Sequence, residues 1–274
     1  MSPSGAGGLE RIARAFWRGV STARHRLLML DYDGTLAPFR VDRLRARPSA
    51  RTQQALRASA RDERTTLAII SGRPIAELDI VLEPLSAILI GEHGWESRRP
   101  GEPLVQHPTD EEADVILDRA AAWLEVEGGA GLLERKRTAV MLHTRGLAGM
   151  EVRRWIQRAR TAWGAEAAAA GGRLRLMPVN GGIELRATGR DKGKSVRELT
   201  AGAPAGTFAV YLGDDATDED AFRAISPVGV GIRVGSNHAR TAARHRLASR
   251  LEVERFLRRW LSAAAEAPAL VARP

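Results

Sequence analysis

The chain has no cysteine among its 274 residues, so neither disulfides nor thiolate metal centres are open to it. It has no run of roughly 18 consecutive apolar residues, the length a membrane span needs. Its first 26 residues carry charge throughout, without the apolar stretch of a secretion signal. The expectation is a soluble, cytoplasmic protein with no membrane partner. Aromatic residues make up only 5% of the sequence, and the net charge of +9 is scattered as single arginines and arginine pairs. With so few rings to stack bases, nucleic acid is not the expected partner; an anionic, phosphate-bearing small molecule fits the charge as well. Lysine is scarce too: of 42 Lys and Arg residues, only Lys136, Lys192 and Lys194 are lysine. A site that needs a compact ammonium should therefore stand out against an arginine background. The sequence gives no indication of oligomeric state.

What is present is a sequence 44% hydrophobic in which short apolar runs alternate with longer helical patterns. RLLMLDYDG is followed by a helix near 48–62, then TTLAIISGR, a helix near 74–82, and SAILIGEHG. This βαβαβ order, with each strand ending in a Gly-containing polar turn, predicts an α/β fold built on a parallel sheet covered by helices on both faces. The alternation returns late, with a helix near 192–200, the strand FAVYLGDD, a helix near 217–224, VGVGIRV, and a terminal helix near 252–265. Between the two halves the pattern becomes αββαββ. We expect a catalytic core formed by residues 1–103 and 187–274, interrupted by an inserted domain at 104–186. The leader MSPSGAGG and the tail EAPALVARP read as flexible ends. Gly- or Pro-containing connections at 97–108 and 186–191 are the expected hinges for closure of the insert over the core.

The chemistry gathers where the predicted strands end. The first apolar run stops at Asp31-Tyr32-Asp33-Gly34-Thr35, the place where open parallel sheets bind ligands. A second strand ends in Asp214 and Asp215, followed by Asp218 in the first turn of a helix. An Asx-type turn would explain a bare Asp-x-Asp, and the helix dipole would explain Asp218. Neither explains two sets of carboxylates delivered to neighbouring strand ends, which repel one another unless a cation lies between them. Oxygen ligands without Cys or His spacing point to Mg²⁺. Ser71, Gly72 and Arg73 offer a hydroxyl and backbone amides ahead of a helix beginning near Pro74, and Lys192 opens another helix. Taken singly, Ser71 reads equally as an N-cap and Lys192 as a solvated lysine. GRDKGKS at 189–195 comes close to a phosphate-binding loop of nucleotide-binding proteins, but Gly189 is one residue too near Gly193.

DYDGT, Ser71 after an apolar strand, Lys192, and GDD followed by Asp218 together resemble the haloacid dehalogenase-like (HAD) phosphatase superfamily. The resemblance implies a Rossmann-like HAD core with an inserted cap. It makes Asp31 the nucleophile, and Asp33 the general acid and base. It also places Mg²⁺ on Asp31, the backbone carbonyl of Asp33, and Asp214, with Asp215 and Asp218 supporting them. Thr35, Ser71, Gly72, Arg73 and Lys192 would bind the phosphoryl group. The αββαββ insert, GEHGWE (91–96), ERK (134–136) leading to LHTR (142–145), and IELR (183–186) resemble the trehalose-6-phosphate phosphatase family more narrowly. That resemblance implies a sugar-phosphate substrate held by Glu134, Lys136 and Glu184, with His93 and Arg145 as further substrate contacts. Read without it, Glu134 and Lys136 are simply one solvated face of a strand. His93 and Glu96, in the turn leaving the third strand, face either the cleft or the linker. Trp155 and Trp163 are expected to pack. Three readings stay open: hydrolysis of trehalose 6-phosphate, the same chemistry on another sugar phosphate or trehalose-like pseudo-disaccharide phosphate, and a non-catalytic sugar-phosphate-binding module.

Overall fold

The structure, a computed structural model, describes residues 7–82, 84–179, 181–236 and 240–266. Most of the leader and tail singled out above lies outside these residues. The described chain opens with helix α1 (Arg14–Thr22), which buries Phe16, Trp17 and Val20. It continues through β1 (Arg26–Leu30), α2 (Ala50–Arg61), β2 (Thr65–Ile70), α3 (Ile75–Leu82) and β3 (Ile88–Gly91). Two short strands follow, β4 (Glu96–Arg98) and β5 (Val105–Gln106). Next come α4 (Glu111–Val126), β6 (Leu133–Lys136), β7 (Ala139–His143), α5 (Gly149–Ala169), β8 (Leu174–Val179) and β9 (Gly182–Ala187). The path ends with α6 (Lys192–Ala201), β10 (Phe208–Gly213), α7 (Asp218–Ile225), β11 (Gly229–Val234), β12 (His245–Leu247) and α8 (Arg250–Ala265).

The larger sheet has the order β12-β11-β10-β1-β2-β3-β4-β5. It is parallel from β12 to β3, and β4 and β5 add an antiparallel edge. This is the expected α/β class. The unbroken apolar run of β1 follows from burial on both faces. Leu28 and Leu30 join one core with α1, α2, α3 and α8, whereas Leu27 and Met29 join a second core with α6 and α7. Strand polarity delivers the ends of β1, β2 and β10 to one edge of the sheet. The structure adds α1, β4, β5 and β12, which the sequence pattern did not reveal: the three strands have two or three residues each, and α1 carries only a narrow apolar stripe, Phe16, Trp17 and Val20.

Residues of the αββαββ block form a separate four-stranded antiparallel sheet, β6-β7-β9-β8, with its own core against α4 and α5. Trp163 is fully buried there and donates its indole N–H to the Ala120 carbonyl at 3.1 Å, tying α5 to α4. The packing role expected for it holds. Because β5 still pairs with the larger sheet, the chain leaves that sheet only after Gln106. Register sets one functional face of the smaller sheet. Glu134 lies opposite Met141, and Met141 opposite Glu184. Directly opposed residues share a face, as do residues two apart, so Lys136 and His143 join them.

At the foot of β1, Arg26 is fully buried, donating to Thr65 Oγ1 at 3.1 Å and the Val20 carbonyl at 3.0 Å, and pairing with Asp62 at 2.7 Å. Removing only the acid strands a guanidinium inside the protein. Asp62→Ala is expected to lower unfolding free energy by about 3 kcal/mol, the range for breaking a buried pair on one side, measured by urea denaturation. A loss under about 1 kcal/mol, the size of a surface pair, would refute this.

Candidate active site

The turn after β1 is built for close approach. Asp31 continues the ladder by donating its backbone N–H to Leu212 at 2.8 Å. Gly34 then takes φ 81° and bonds back to the Ala37 carbonyl. A Cβ on Gly34 would lie 2.1 Å from Asp214 Oδ2, so only glycine lets the two strand-end loops meet. Asp31, Asp214 and Asp218 consequently converge, with one carboxylate oxygen of each within 4.8 Å of the others.

Lys192 holds this cluster together. Asp191 caps α6 by accepting from the Lys194 amide at 2.6 Å. That fixes Lys192 as the first helical residue, and its ammonium, 3% exposed, donates to Asp31 Oδ1 at 2.6 Å and Asp218 Oδ1 at 2.7 Å. Asp218 receives further donors from the Tyr211 hydroxyl at 2.6 Å and from the amides of Asp214 and Asp215, each at 2.8 Å. These donors outweigh burial and keep the Asp218 carboxyl below its ordinary range. Asp31 and Asp214 are less well served. Burial, with Asp218 nearby and only partial relief from Lys192, pushes Asp31 up to about 7. Burial, followed by the charges of Asp31 and Asp218, pushes Asp214 up to about 10. Asp214 finds only the Thr35 hydroxyl at 3.5 Å among the described residues.

A buried and a half-buried carboxylate, both under-neutralised, beside a fully bonded third are what a hard divalent cation would find complementary. The donor set fits such an ion, with Asp31 and Asp214 free to ligate and Asp218 already committed to orienting its neighbours. Thr35 is buried and turned towards Asp214, apart from the open cleft.

The cleft itself runs between the two sheets and encloses about 660 Å³ including its mouth, within the range of small-molecule sites. Its floor carries Asp31, Asp33, Ser71, Gly72, Arg73, Lys192 and Asp215; its roof carries Glu134, Lys136, His143, Arg145 and Glu184, and His93 lies between. All of these but His143 are residues expected from sequence, and Asp214 and Asp218 lie beside Asp31.

Arg73 donates its backbone N–H to Ser71 Oγ at 3.1 Å, and its guanidinium grips Asp33 through two bonds of 2.7 Å. On the roof, Lys136 bonds Glu184 at 2.9 Å and lies 3.9 Å from Glu134. His143 Nε2 donates to the ionised Glu134 carboxylate at 2.5 Å. Burial would raise Glu134, but His143, Lys136 and Arg43 draw it down to about 2. Glu184 likewise sits well below its ordinary range despite burial, because of Lys136 and His93. Arg145 lies over the Phe39 ring at 4.8 Å.

Arg43 escaped the sequence reading, and Glu92 and Glu96 were in view there only within GEHGWE, without a fixed role. Arg43, in the loop after β1, pairs with both Glu77 and Glu134, crossing from core to insert. Glu96 accepts from the first amide of α3, Ile75, at 2.8 Å, so it caps that helix. Glu92 accepts from the amide of Arg137 and the hydroxyl of Thr138, each at 3.2 Å. The GEHGWE motif held the signal for the last two, but their partners lie far along the chain.

With this geometry in view, residues 29–250 match the family described as trehalose-phosphatase. The chain belongs to the trehalose-phosphatase family. A trehalose-phosphate phosphatase of Mycolicibacterium paratuberculosis is 36% identical over 228 residues, covering 78% of this chain and 56% of that protein. The chain thus spans little more than half the length of that curated relative. Among solved structures, the C-terminal domain of C. albicans trehalose-6-phosphate phosphatase aligns with TM-score 0.82 at 23% identity, covering 90% of this chain and 96% of that one. A haloacid dehalogenase-like hydrolase from B. subtilis aligns with TM-score 0.58 at 17% identity, covering 85% and 98%. These structures share the HAD fold, a Rossmann-like core with a cap. Among the described residues no helix is long and apolar enough to cross a membrane.

The raised carboxyls give a pH signature. Both groups bind protons more tightly folded than unfolded, so their contribution to stability is full below about pH 4. It is lost as pH rises, through about 7 for Asp31 and about 10 for Asp214. Metal-free protein should therefore lose Tm between pH 5 and 9, and added Mg²⁺ should restore it increasingly at the higher pH. Asp214→Asn should raise the metal-free Tm and abolish the Mg²⁺ response; a metal shift independent of pH and of Asp214 would contradict this.

Proposed function

We propose that the chain is a Mg²⁺-dependent phosphatase that hydrolyses trehalose 6-phosphate to trehalose and inorganic phosphate through an aspartyl-phosphate on Asp31. One observation carries the reading: Asp31, braced at 2.6 Å by Lys192 and adjoining Asp214, opens into the same cleft as Glu134, Lys136 and Glu184. A nucleophilic carboxylate and a polyol-binding clamp thus face one another. Family membership and the relatives' names support the substrate, and the acidic cluster supports the metal.

In this mechanism an Asp31 oxygen attacks phosphorus while the bond from phosphorus to the sugar oxygen breaks, and Asp33 gives that oxygen its proton. Asp33 then takes a proton from water, whose oxygen attacks phosphorus and releases the Asp31 carboxylate with phosphate. The pair between Arg73 and Asp33 has to open for Asp33 to reach the leaving oxygen. Lys192 and the Ser71 hydroxyl offset charge on the phosphoryl oxygens. Mg²⁺, held by Asp31, Asp214 and the Asp33 carbonyl, would supply the neutralisation that lets one anion approach another. Glu184 and Glu134 accept from vicinal sugar hydroxyls, to which Lys136 donates. The segment 104–186 acts as the specificity cap, moving on the connections at 97–108 and 186–191.

Phosphate release from a panel of sugar phosphates tests the proposal. Trehalose 6-phosphate should be preferred, chelation should abolish turnover, and Asp31→Asn should lower kcat by roughly a thousandfold or more, the scale for losing a nucleophile. Glu184→Gln should raise KM about tenfold, the worth of one charge-assisted hydrogen bond. Preference for a different sugar phosphate would overturn the substrate and spare the chemistry; full activity of Asp31→Asn would overturn the chemistry.

A further inference from the structure

The turn between β3 and β4 is held in a conformation that side chains rarely adopt. Glu92 and His93 both have positive φ, 46° and 57°, a region in which non-glycine residues persist only where their surroundings compel it. What compels them is contact on two sides. The Glu92 amide donates to the Arg73 carbonyl and the His93 amide to the Ser71 carbonyl, each at 2.9 Å, so the turn's backbone is sewn to the loop that carries Ser71 and Gly72. The His93 ring fills the space a side chain at residue 72 would take: a Cβ there would lie 2.6 Å from His93 Nε2. The Glu92 side chain points the other way, into the insert. Glu92 accepts from Arg137 and Thr138 at the β6–β7 turn. His93 Nε2 stands 3.5 Å from Glu184 Oε2, in contact without a hydrogen bond, and that buried oxygen has no hydrogen-bond partner among the described residues. Both residues are buried, 3% and 8% exposed.

We infer that this turn is the rigid link between the sugar clamp and the phosphate loop, and that His93 is a positioning residue through which a sugar seated on Glu184 sets Ser71 and Gly72. The inference rests on the sugar-phosphate reading above. Nothing flexible intervenes: Glu184 touches His93, His93 touches Gly72, and its amide bonds Ser71. A shift of the clamp is passed to the phosphate loop without travelling through the long connections at 97–108 and 186–191.

His93→Asn and His93→Gly both tolerate positive φ, so the turn survives while the ring is lost. The expected result is that kcat/KM for trehalose 6-phosphate falls about tenfold more than kcat/KM for p-nitrophenyl phosphate, the excess lying in kcat, as misplacement by a fraction of an ångström predicts. Equal losses on both substrates would make His93 a purely structural residue and overturn the inference. If the wild type showed no preference for any sugar phosphate, the functional reading would fail by itself, and hydrogen exchange would still decide the link. In Glu184→Gln, the amides of Glu92 and His93 should exchange faster while those of Leu28 and Met29 in β1 do not. Unchanged exchange at 92–93, or a uniform rise everywhere, would overturn it.

Discussion

One buried ammonium organises the floor of the cleft. Lys192 reaches Asp31 and Asp218 at once, and without it three carboxylates would face one another in a low dielectric, where removing one partner of a charge pair is strongly unfavourable. Burial alone would lower a lysine's pKa, yet the two aspartates hold Lys192 above its ordinary range. That firmness makes Asp31 directional. One of its oxygens is fixed by Lys192, which leaves the other to face Asp214 and the cleft.

The roof repeats the device with opposite emphasis. There Lys136 is flanked by Glu184 and Glu134, so each glutamate stays ionised and each keeps acceptor capacity. A string of alternating charges, Asp33–Arg73–Glu77–Arg43–Glu134, then runs from the end of β1 to β6. Two of the chain's three lysines therefore sit at the centres of the two carboxylate groups, where a compact ammonium fits between neighbours and a broad guanidinium would not.

Much of this was legible in the sequence, for reasons that particular residues make plain. Leu27 to Leu30 read as a strand buried on both faces because it is, and its abrupt end at Asp31 marked the ligand-binding edge. Lys192 stood out through the scarcity of lysine. The change to an αββαββ pattern between the two halves announced the second sheet. What stayed hidden depends on partners distant in sequence. Arg43 opens a single 3₁₀ turn, too short to show a period, and its significance comes from Glu134, on the smaller sheet. Arg73 offered backbone donors to the eye, whereas its guanidinium finds Asp33 40 positions away. β4, β5 and β12 have two or three residues each, too few for a strand's alternation to be repeated. Helix α1 shows only a narrow apolar stripe, and its burial is set by α8, at the other end of the chain.

The charge string across the cleft has a different exposure from the floor it reaches. Arg43, Glu77 and Glu134 keep between 15 and 24% of their side-chain surface, while Lys192 and Asp218 keep almost none. Dissolved ions screen charges they can approach, over about 8 Å at physiological ionic strength. The fold therefore separates two electrostatic regimes in one cavity: an ionic-strength-sensitive seam that joins roof to floor, and a Lys192–Asp218 pair beneath it that dissolved salt barely screens.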